Sequence, residues 1–297
     1  MRYAFCASIS QGYMFGLNAT MNAMNYFGCH ADWELAYSNV SEDYRNRMSN
    51  AFPFKVHWTP LQDIVDKYKE KYGGRRAEKF WVGFHAITAD KINNYDAVCL
   101  IQGDNFLCYD VTSIFKAVAM ANVVVVTEHY DNLKVVEDLP FGREEEVYNR
   151  GHCALTDQLI FANKKHKDIF EYCAKSQLQE SVKGETNHPI IALNRAICKY
   201  TTKQDVIALE RSEWCYRKGL FSFPLRRSDK RLYNNRNLRI KGIHNKLWID
   251  GVKSELATRK DDRNMMIKNI QIVRDLMNAF NSMTLETKVE VPWKLPL

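Results

Sequence analysis

The chain has no apolar stretch approaching the ~20 residues that cross a bilayer, which excludes a helical membrane span. Its opening, M-R-Y-A-F-C-A-S-I-S-Q-G, carries no hydrophobic signal segment. It also lacks any C-x-x-C pair. Its eight cysteines (Cys6, Cys29, Cys99, Cys108, Cys153, Cys173, Cys198 and Cys215) stand singly, several of them inside apolar runs. That usage fits reduced core thiols and not a disulfide framework. There is no internal repeat, low-complexity tract, zinc-ligand spacing, G-x-S-x-G or P-loop. The signatures of solenoids, α/β-hydrolases and P-loop nucleotide hydrolysis are therefore missing. The expected location is the cytoplasm (host cytoplasm for a viral chain), and the glycosylation sequons at Asn18 and Asn39 read as accidental.

What is present is a globular composition. With 297 residues, 46% hydrophobic and 12% aromatic, the chain can bury a sizeable core. The net charge of +7 is uneven: residues 217–246 hold ten Lys/Arg against Asp229 alone, so the remaining residues together are slightly acidic. Arg226, Arg227, Lys230, Arg231, Arg236 and Arg239 in this segment are candidates for a polyanion, with a solvated basic loop as the plain alternative.

The most informative stretch is Tyr95 to Asp110, Y-D-A-V-C-L-I-Q-G-D-N-F-L-C-Y-D. Ala97–Ile101 is a continuous apolar run with the character of a central strand covered on both faces. It stops at Gln102-Gly103-Asp104-Asn105, which delivers polar groups to the C-terminal edge of a sheet, where open α/β folds bind ligands. Phe106–Cys108 reads as a short strand, and Asp110 as the N-cap of a helix over 112–121. Strands are expected over 2–9, 33–37, 54–58, 123–126 and within 152–162. Helices are expected over 17–27, 61–72, 79–87, 171–183, 190–200 and 261–283. Strands separated by helical stretches imply a largely parallel sheet.

The central stretch resembles the GT-A glycosyltransferases, especially glycosyltransferase family 8 (glycogenin-like and lipopolysaccharide galactosyltransferase-like enzymes, with a viral member conceivable). Against a family strand of the form Y-D-x-V-x-Y-L-D-A-D-x-L-V-x-x-D, Tyr95, Asp96, Val98, Asp104, Leu107 and Asp110 agree. Gln102 stands where the family's D-x-D has its first Asp. Further likenesses are Gly12-Tyr13 after the first strand, Asn149 and Gly151 against F-N-x-G, and Leu193-Asn194 against D-Q-x-x-L-N, with His188-Pro189 in place of the acidic pair. Ile240–Trp248 partly matches the C-terminal H-x-x-G-x-x-K-P-W.

The resemblance implies an α/β fold of GT-A (Rossmann-like) type over residues 1–250, a mainly parallel sheet flanked by helices, with a C-terminal helical extension at 251–297. It implies transfer from a nucleotide sugar, UDP-linked by expectation, with Mn²⁺ or Mg²⁺ as cofactor held by Asp104 and His244. Ala7, Ser8, Ser10, Tyr13 and Asn39 would hold the nucleoside. Lys79 or His85 and Lys246 would reach the phosphates. Gln102, Gly103, Asn149 and Gly151 would line the donor, while Asp104, Glu185 and His188 would stand at the reaction centre. Retention of configuration requires no dedicated base; inversion would draw on a carboxylate such as Asp157 or Glu185. For the acceptor, DNA bearing a modified base and a polysaccharide or lipid-linked glycan are both carried. A non-catalytic nucleic-acid-binding protein with a degenerate GT-A domain is the reading from another class.

Overall fold

Apolar runs alternating with helix-forming stretches produce alternating strands and helices. The structure, a computed structural model, describes residues 1–72, 83–128, 155–178, 189–216, 223–244 and 263–284. β1 (Tyr3–Ser10) leads through a 3-10 turn at Gln11–Tyr13 into α1 (Met14–Tyr26). β2 (Asp32–Ser38), α2 (Glu42–Ala51), β3 (Val56–Pro60) and α3 (Gln62–Tyr72) follow. After a 3-10 turn at Gly83–Ala86 come α4 (Ala89–Asn93), β4 (Ala97–Ile101), β5 (Asn105–Leu107), α5 (Thr112–Ala121) and β6 (Val124–Glu128). β7 (Leu155–Ala162), α6 (Lys167–Leu178), α7 (Pro189–Tyr200), β8 (Val206–Leu209) and α8 (Arg211–Trp214) form the next block. β9 (Arg226–Ser228), β10 (Arg231–Tyr233), β11 (Arg239–Ile240), β12 (Gly242–His244) and α9 (Arg263–Asn281) complete the described elements.

The main sheet has the order β3-β2-β1-β4-β7-β6-β8. Only β7 runs against the others, pairing antiparallel with β4 and β6. The two faces of β4 feed two cores. Ala97, Cys99 and Ile101 join the cluster that holds Phe5, Trp33, Phe115 and Phe161. Val98 and Leu100 join the cluster that holds Leu61, Phe170, Leu193 and Ile197. A strand covered on both sides has no polar face to show, so its sequence is an unbroken apolar run.

Local sequence sets the boundaries. Gly28 sits at φ +76 after α1, and the Gly28 and Cys29 amides donate back to Asn25 and Met24, a Gly-terminated helix end. Asp110 accepts from the Thr112 amide at 2.9 Å just before α5, although the residue at the N-cap position is Val111. α2 begins at Ser41, whose side chain accepts from the Tyr44 amide, with Glu42 and Asp43 in the first turn. That capping signal is in the sequence, but the helix lacks an apolar stripe and is not expected from periodicity. Over 79–87 the described part is a single 3-10 turn at Gly83–Ala86, and the chain restarts as α4 behind the Thr88 cap. The basic segment folds in part as a three-stranded antiparallel sheet, β11-β10-β9.

α9 docks on α1. Phe280 packs against Tyr26, Phe27 and Phe106, and the Asn281 side-chain amide donates to the Phe15 carbonyl at 3.3 Å. The described cysteines are free, and burial pushes the Cys29 and Cys108 thiols up to about 11 and about 12. Such thiols are core side chains and not nucleophiles.

One buried amide fixes the start of β7. Asn194 of α7 accepts from the Leu155 amide at 3.0 Å and donates to the Leu155 and Ile190 carbonyls, each at 2.8 Å. It bonds both backbone groups of Leu155, which lies beyond the end of β4 and faces Glu128 of β6 on its other side. Asn194→Ala is expected to cost at least about 2 kcal/mol in a urea unfolding series, because buried backbone groups lose their partner. A cost near the ~0.5 kcal/mol of a neutral surface change would contradict this.

Candidate functional site

β1 is followed in space by β2 and β3 on one side and by β4 on the other. The strand order therefore reverses between β1 and β4, and the crevice above their C-terminal ends is the expected ligand site of an open α/β sheet. The end of β1 brings Ser8 and Ser10 there and the following turn brings Tyr13, while Ala7, further back on β1, is fully buried in the cluster that holds Phe5 and Trp33. Asn39, just past β2, adopts a left-handed conformation with φ 54. Gly103 closes the gap between the two strands: a Cβ there would lie 3.2 Å from the Ser8 carbonyl oxygen and 3.2 Å from the Tyr13 ring. Gly103 is thus a neighbour of Ser8 and Tyr13, although it lies 95 and 90 residues from them in sequence.

Asp104 follows Gly103, and β5 begins one residue later. β12 pairs antiparallel with β5, setting His244 opposite Asn105. His244 Nε2 lies 3.1 Å from Asp104 Oδ2, with Asp104 4% and His244 9% exposed. Several contacts hold this pairing. The Cys108 amide donates to the Lys241 carbonyl at 2.8 Å, and the Tyr216 amide to the Gly242 carbonyl at 3.0 Å. Gly242 is required because a Cβ would collide with the Trp214 carbonyl oxygen. On the other side of β5, Thr20 of α1 accepts from the Leu107 amide at 3.2 Å.

Burial alone would lower the His244 pKa, but the Asp104 carboxylate and its hydrogen bond, with Cys215, raise it to about 9. The imidazole is therefore protonated near neutrality and forms a buried ion pair. The same two atoms suit a divalent ion. Adjacent ligands of an octahedral ion bound at ~2.1 Å lie about 3.0 Å apart, and carboxylate with imidazole is a donor set that Mn²⁺ accepts. Among the described residues, no group of three or more His, Cys, Asp or Glu stands close enough to hold an ion.

β7 brings Asp157, in the sequence a candidate base for an inverting reaction, and Gln158 to the same edge. Asp157 is 5% exposed and accepts a hydrogen bond from the Gln102 side-chain amide. Desolvation raises its pKa to about 6, while His244 opposes the rise and Asp104 adds to it. The Gln102 amide donates to the Gln158 carbonyl at 3.2 Å, as does the Asn105 side chain.

His85 lies in the turn packed against β1 and β4, and burial lowers its pKa to about 4. It is a neutral imidazole near pH 7, able to hydrogen-bond a phosphate but not to add charge. Lys79, Asn149, Gly151, Glu185, His188 and Lys246 lie outside the described residues.

Within the basic segment, Arg226 stacks over Tyr233 at 5.2 Å and Arg227 donates to the Asp229 carbonyl at 2.7 Å. Arg231 and Arg236 are exposed. Lys230 lies over Tyr26 at 4.3 Å, and Arg239 over Tyr109 at 4.5 Å. Those two cations are half-buried over aromatic rings, whereas Arg226, Arg227, Arg231 and Arg236 are exposed and form the outer basic face.

The chain is similar to several solved glycosyltransferase structures. The apo form of the glycosyltransferase GlyE from Streptococcus pneumoniae superposes with TM-score 0.50 at 11% identity, covering 96% of this chain and 64% of that one. The galactosyltransferase LgtC, in complex with donor and acceptor sugar analogues, gives TM-score 0.46 at 10% identity over 92% of this chain and 96% of that one. The bifunctional glycosyltransferase WbbM in its apo form gives 0.45 at 13% identity over 72% of this chain, which spans only 39% of that one. At such identities the likeness is one of fold: α/β, GT-A type, with a mainly parallel sheet flanked by helices. No protein-family model and no curated protein sequence matches the chain.

The buried pair has a pH signature. A histidine whose folded pKa is raised from about 6.5 to about 9 adds stability that is complete below about 6.5 and lost as pH rises through about 9. In chelator, the urea midpoint gap between the protein and His244→Gln is expected to shrink between about pH 7 and about pH 9.5. A gap of constant size over that range would contradict the pairing.

Proposed function

We propose that the protein is a nucleotide-sugar-dependent glycosyltransferase. It moves a hexosyl or pentosyl group from a nucleoside diphosphate sugar, UDP-linked by first expectation, to a hydroxyl acceptor. A bond forms between the acceptor oxygen and the anomeric carbon, the bond from that carbon to the diphosphate oxygen breaks, and the acceptor proton is released. The observation that carries the reading is the buried Asp104–His244 pair at the crevice between β1 and β4.

Mn²⁺ or Mg²⁺, held by Asp104 and His244, would supply Lewis-acid charge at the diphosphate of the leaving group. The protein's own residues orient the donor. Ser8, Ser10, Tyr13 and Asn39 form the nucleoside end. Gly103 keeps the crevice floor open for close approach of the backbone to the ligand. Asn149, Gly151, Glu185 and His188 are assigned to the sugar and reaction centre, and Lys79 and Lys246 to the phosphates, on the resemblance alone. His85 serves as a neutral hydrogen-bonding group. If the reaction inverts configuration, Asp157 joins Glu185 as a candidate base.

For the acceptor, the exposed Arg226, Arg227, Arg231 and Arg236 favour a polyanion, with DNA carrying a hydroxylated base as the sharper form. A polysaccharide or lipid-linked glycan is the alternative, served by the same basic face. A nucleic-acid-binding protein without turnover is the competing class.

The test is release of nucleoside diphosphate from a panel of nucleotide sugars. Turnover is expected with Mn²⁺, and Asp104→Ala is expected to lower it about 100-fold or more. Full activity in that variant would remove the metal assignment, and no release from any donor would favour the binding-protein reading. Transfer to duplex DNA should fall steeply between about 50 and about 200 mM salt, in contrast to transfer to neutral acceptors.

A further inference from the structure

β7 does not run straight past β6. Val126 pairs with Ile160, but the next residue, Thr127, pairs with Thr156. Asp157, Gln158 and Leu159 therefore have no register partner on β6, the Leu159 carbonyl accepting only from the Thr127 side-chain hydroxyl at 3.3 Å, and the strand bulges at the edge where the β1–β4 crevice lies. Bulges re-aim side chains, and they concentrate beside functional sites. The far side of the bulge stays anchored to β4, where Ile101 pairs with Leu159 and the Gln102 amide donates to the Gln158 carbonyl. The near end is clamped by Asn194. Asp157 is thus held by supports on both sides, with its carboxylate against the side-chain amide of Gln102.

Burying that carboxylate is costly without a counter-charge. The charged groups that act on Asp157 include His244 and Asp104. When His244 is neutral, as a metal ligand must be, Asp104 and Asp157 leave two negative charges on this side of the crevice. A divalent cation balances that pair. The Gln102–Asp104 turn itself contributes only one carboxylate.

Resting on the donor-site reading above, we propose that Asp157 is a positioning residue of that site. It fixes the amide of Gln102 and supplies, from the neighbouring strand, the second negative charge of the Asp104–His244 ion site. Asp157 acts through Gln102 and through its field, without ligating the ion. The carboxylate that position 102 lacks is carried instead on the β7 bulge. Two consequences follow. Neutralising Asp157 weakens the ion site although Asp104 and His244 are untouched, and exchanging the two side chains conserves the charge.

Mn²⁺ binding in the presence of UDP, read from the spin-resonance signal of free Mn²⁺, tests this directly. The protein is compared with Asp157→Asn, with Gln102→Leu and with the exchange Gln102→Asp/Asp157→Gln, and urea unfolding is run on each. Asp157→Asn and Gln102→Leu are each expected to weaken Mn²⁺ binding by about tenfold or more. The exchange is expected to recover most of that loss. Unchanged Mn²⁺ affinity in a folded Asp157→Asn protein overturns the inference. So does an exchange that binds no better than the single variants. Should Asp157→Asn fail to fold, Asp157→Gln and Asp157→Ser decide, because each removes the charge and leaves a polar group for the Gln102 amide. A wild-type protein that takes up no Mn²⁺ with UDP, GDP or CDP overturns the donor-site reading, and this inference with it. A wild type that binds while both single variants bind equally well overturns the inference alone.

Discussion

Asp104 and His244 stand 140 residues apart in sequence and 3.1 Å apart in space. Bringing them together requires a late segment to add itself to an early one as a short antiparallel pair, three residues on each side. Much of the surrounding architecture serves that pairing. β4 must end where it does so that Gly103 can turn the chain against Ser8 and Tyr13. Thr20 must reach from α1 to occupy an otherwise open backbone group of β5. Gly242 must lack a side chain so that β12 can pass the Trp214 carbonyl. A buried acid and a buried base left unpaired would each be strongly unfavourable. Mutual burial at the end of the central strand therefore commits the fold to a polar centre at that point.

The sheet makes such a centre usable. Its six co-directional strands present their C-terminal ends at one edge, and the reversal of strand order opens a crevice there. The one antiparallel strand, β7, enters that edge from the opposite direction and bulges as it does so. The crevice thus receives the ends of β1 and β4 together with the beginning of β7. This arrangement explains why polar side chains from three separated parts of the chain meet in one place. α9, docked through Phe280 and Asn281, packs against α1 and against Phe106 of β5. The exposed arginines Arg226, Arg227, Arg231 and Arg236 lie on and beside the separate small sheet β11-β10-β9.

Much of the fold is legible in the sequence because its signals are local. The β4 run is apolar without a break because both faces are buried, and α5 occupies 112–121 as expected from its periodicity. Asp104 stands out because it is the first charged residue after that run, three positions past its end. Other features are invisible for physical reasons. β8 is a four-residue edge strand whose pattern is too short to read. α2 is held by its cap and not by an apolar stripe. The small sheet carries arginines on exposed strand positions, which resemble a loop when read along the chain. Asn194 looks like a family motif residue, yet its bonds are to the backbone of a strand thirty-nine residues away. The β7 bulge is a property of pairing between strands, and no single-strand periodicity encodes it. His244 carries no signal of its own and is reached only through a partial motif resemblance. Its role depends on which segment pairs with β5.

The proposed function requires that the β1–β4 crevice bind a nucleoside diphosphate through an ion held by Asp104 and His244. Calorimetric titration of UDP with and without Mn²⁺, repeated on Asp104→Ala, tests it most directly. The account requires binding that depends on Mn²⁺ and is lost in the variant. Binding that is equal with and without the ion and unaltered by Asp104→Ala would contradict it, as would no binding of UDP, GDP or CDP under either condition.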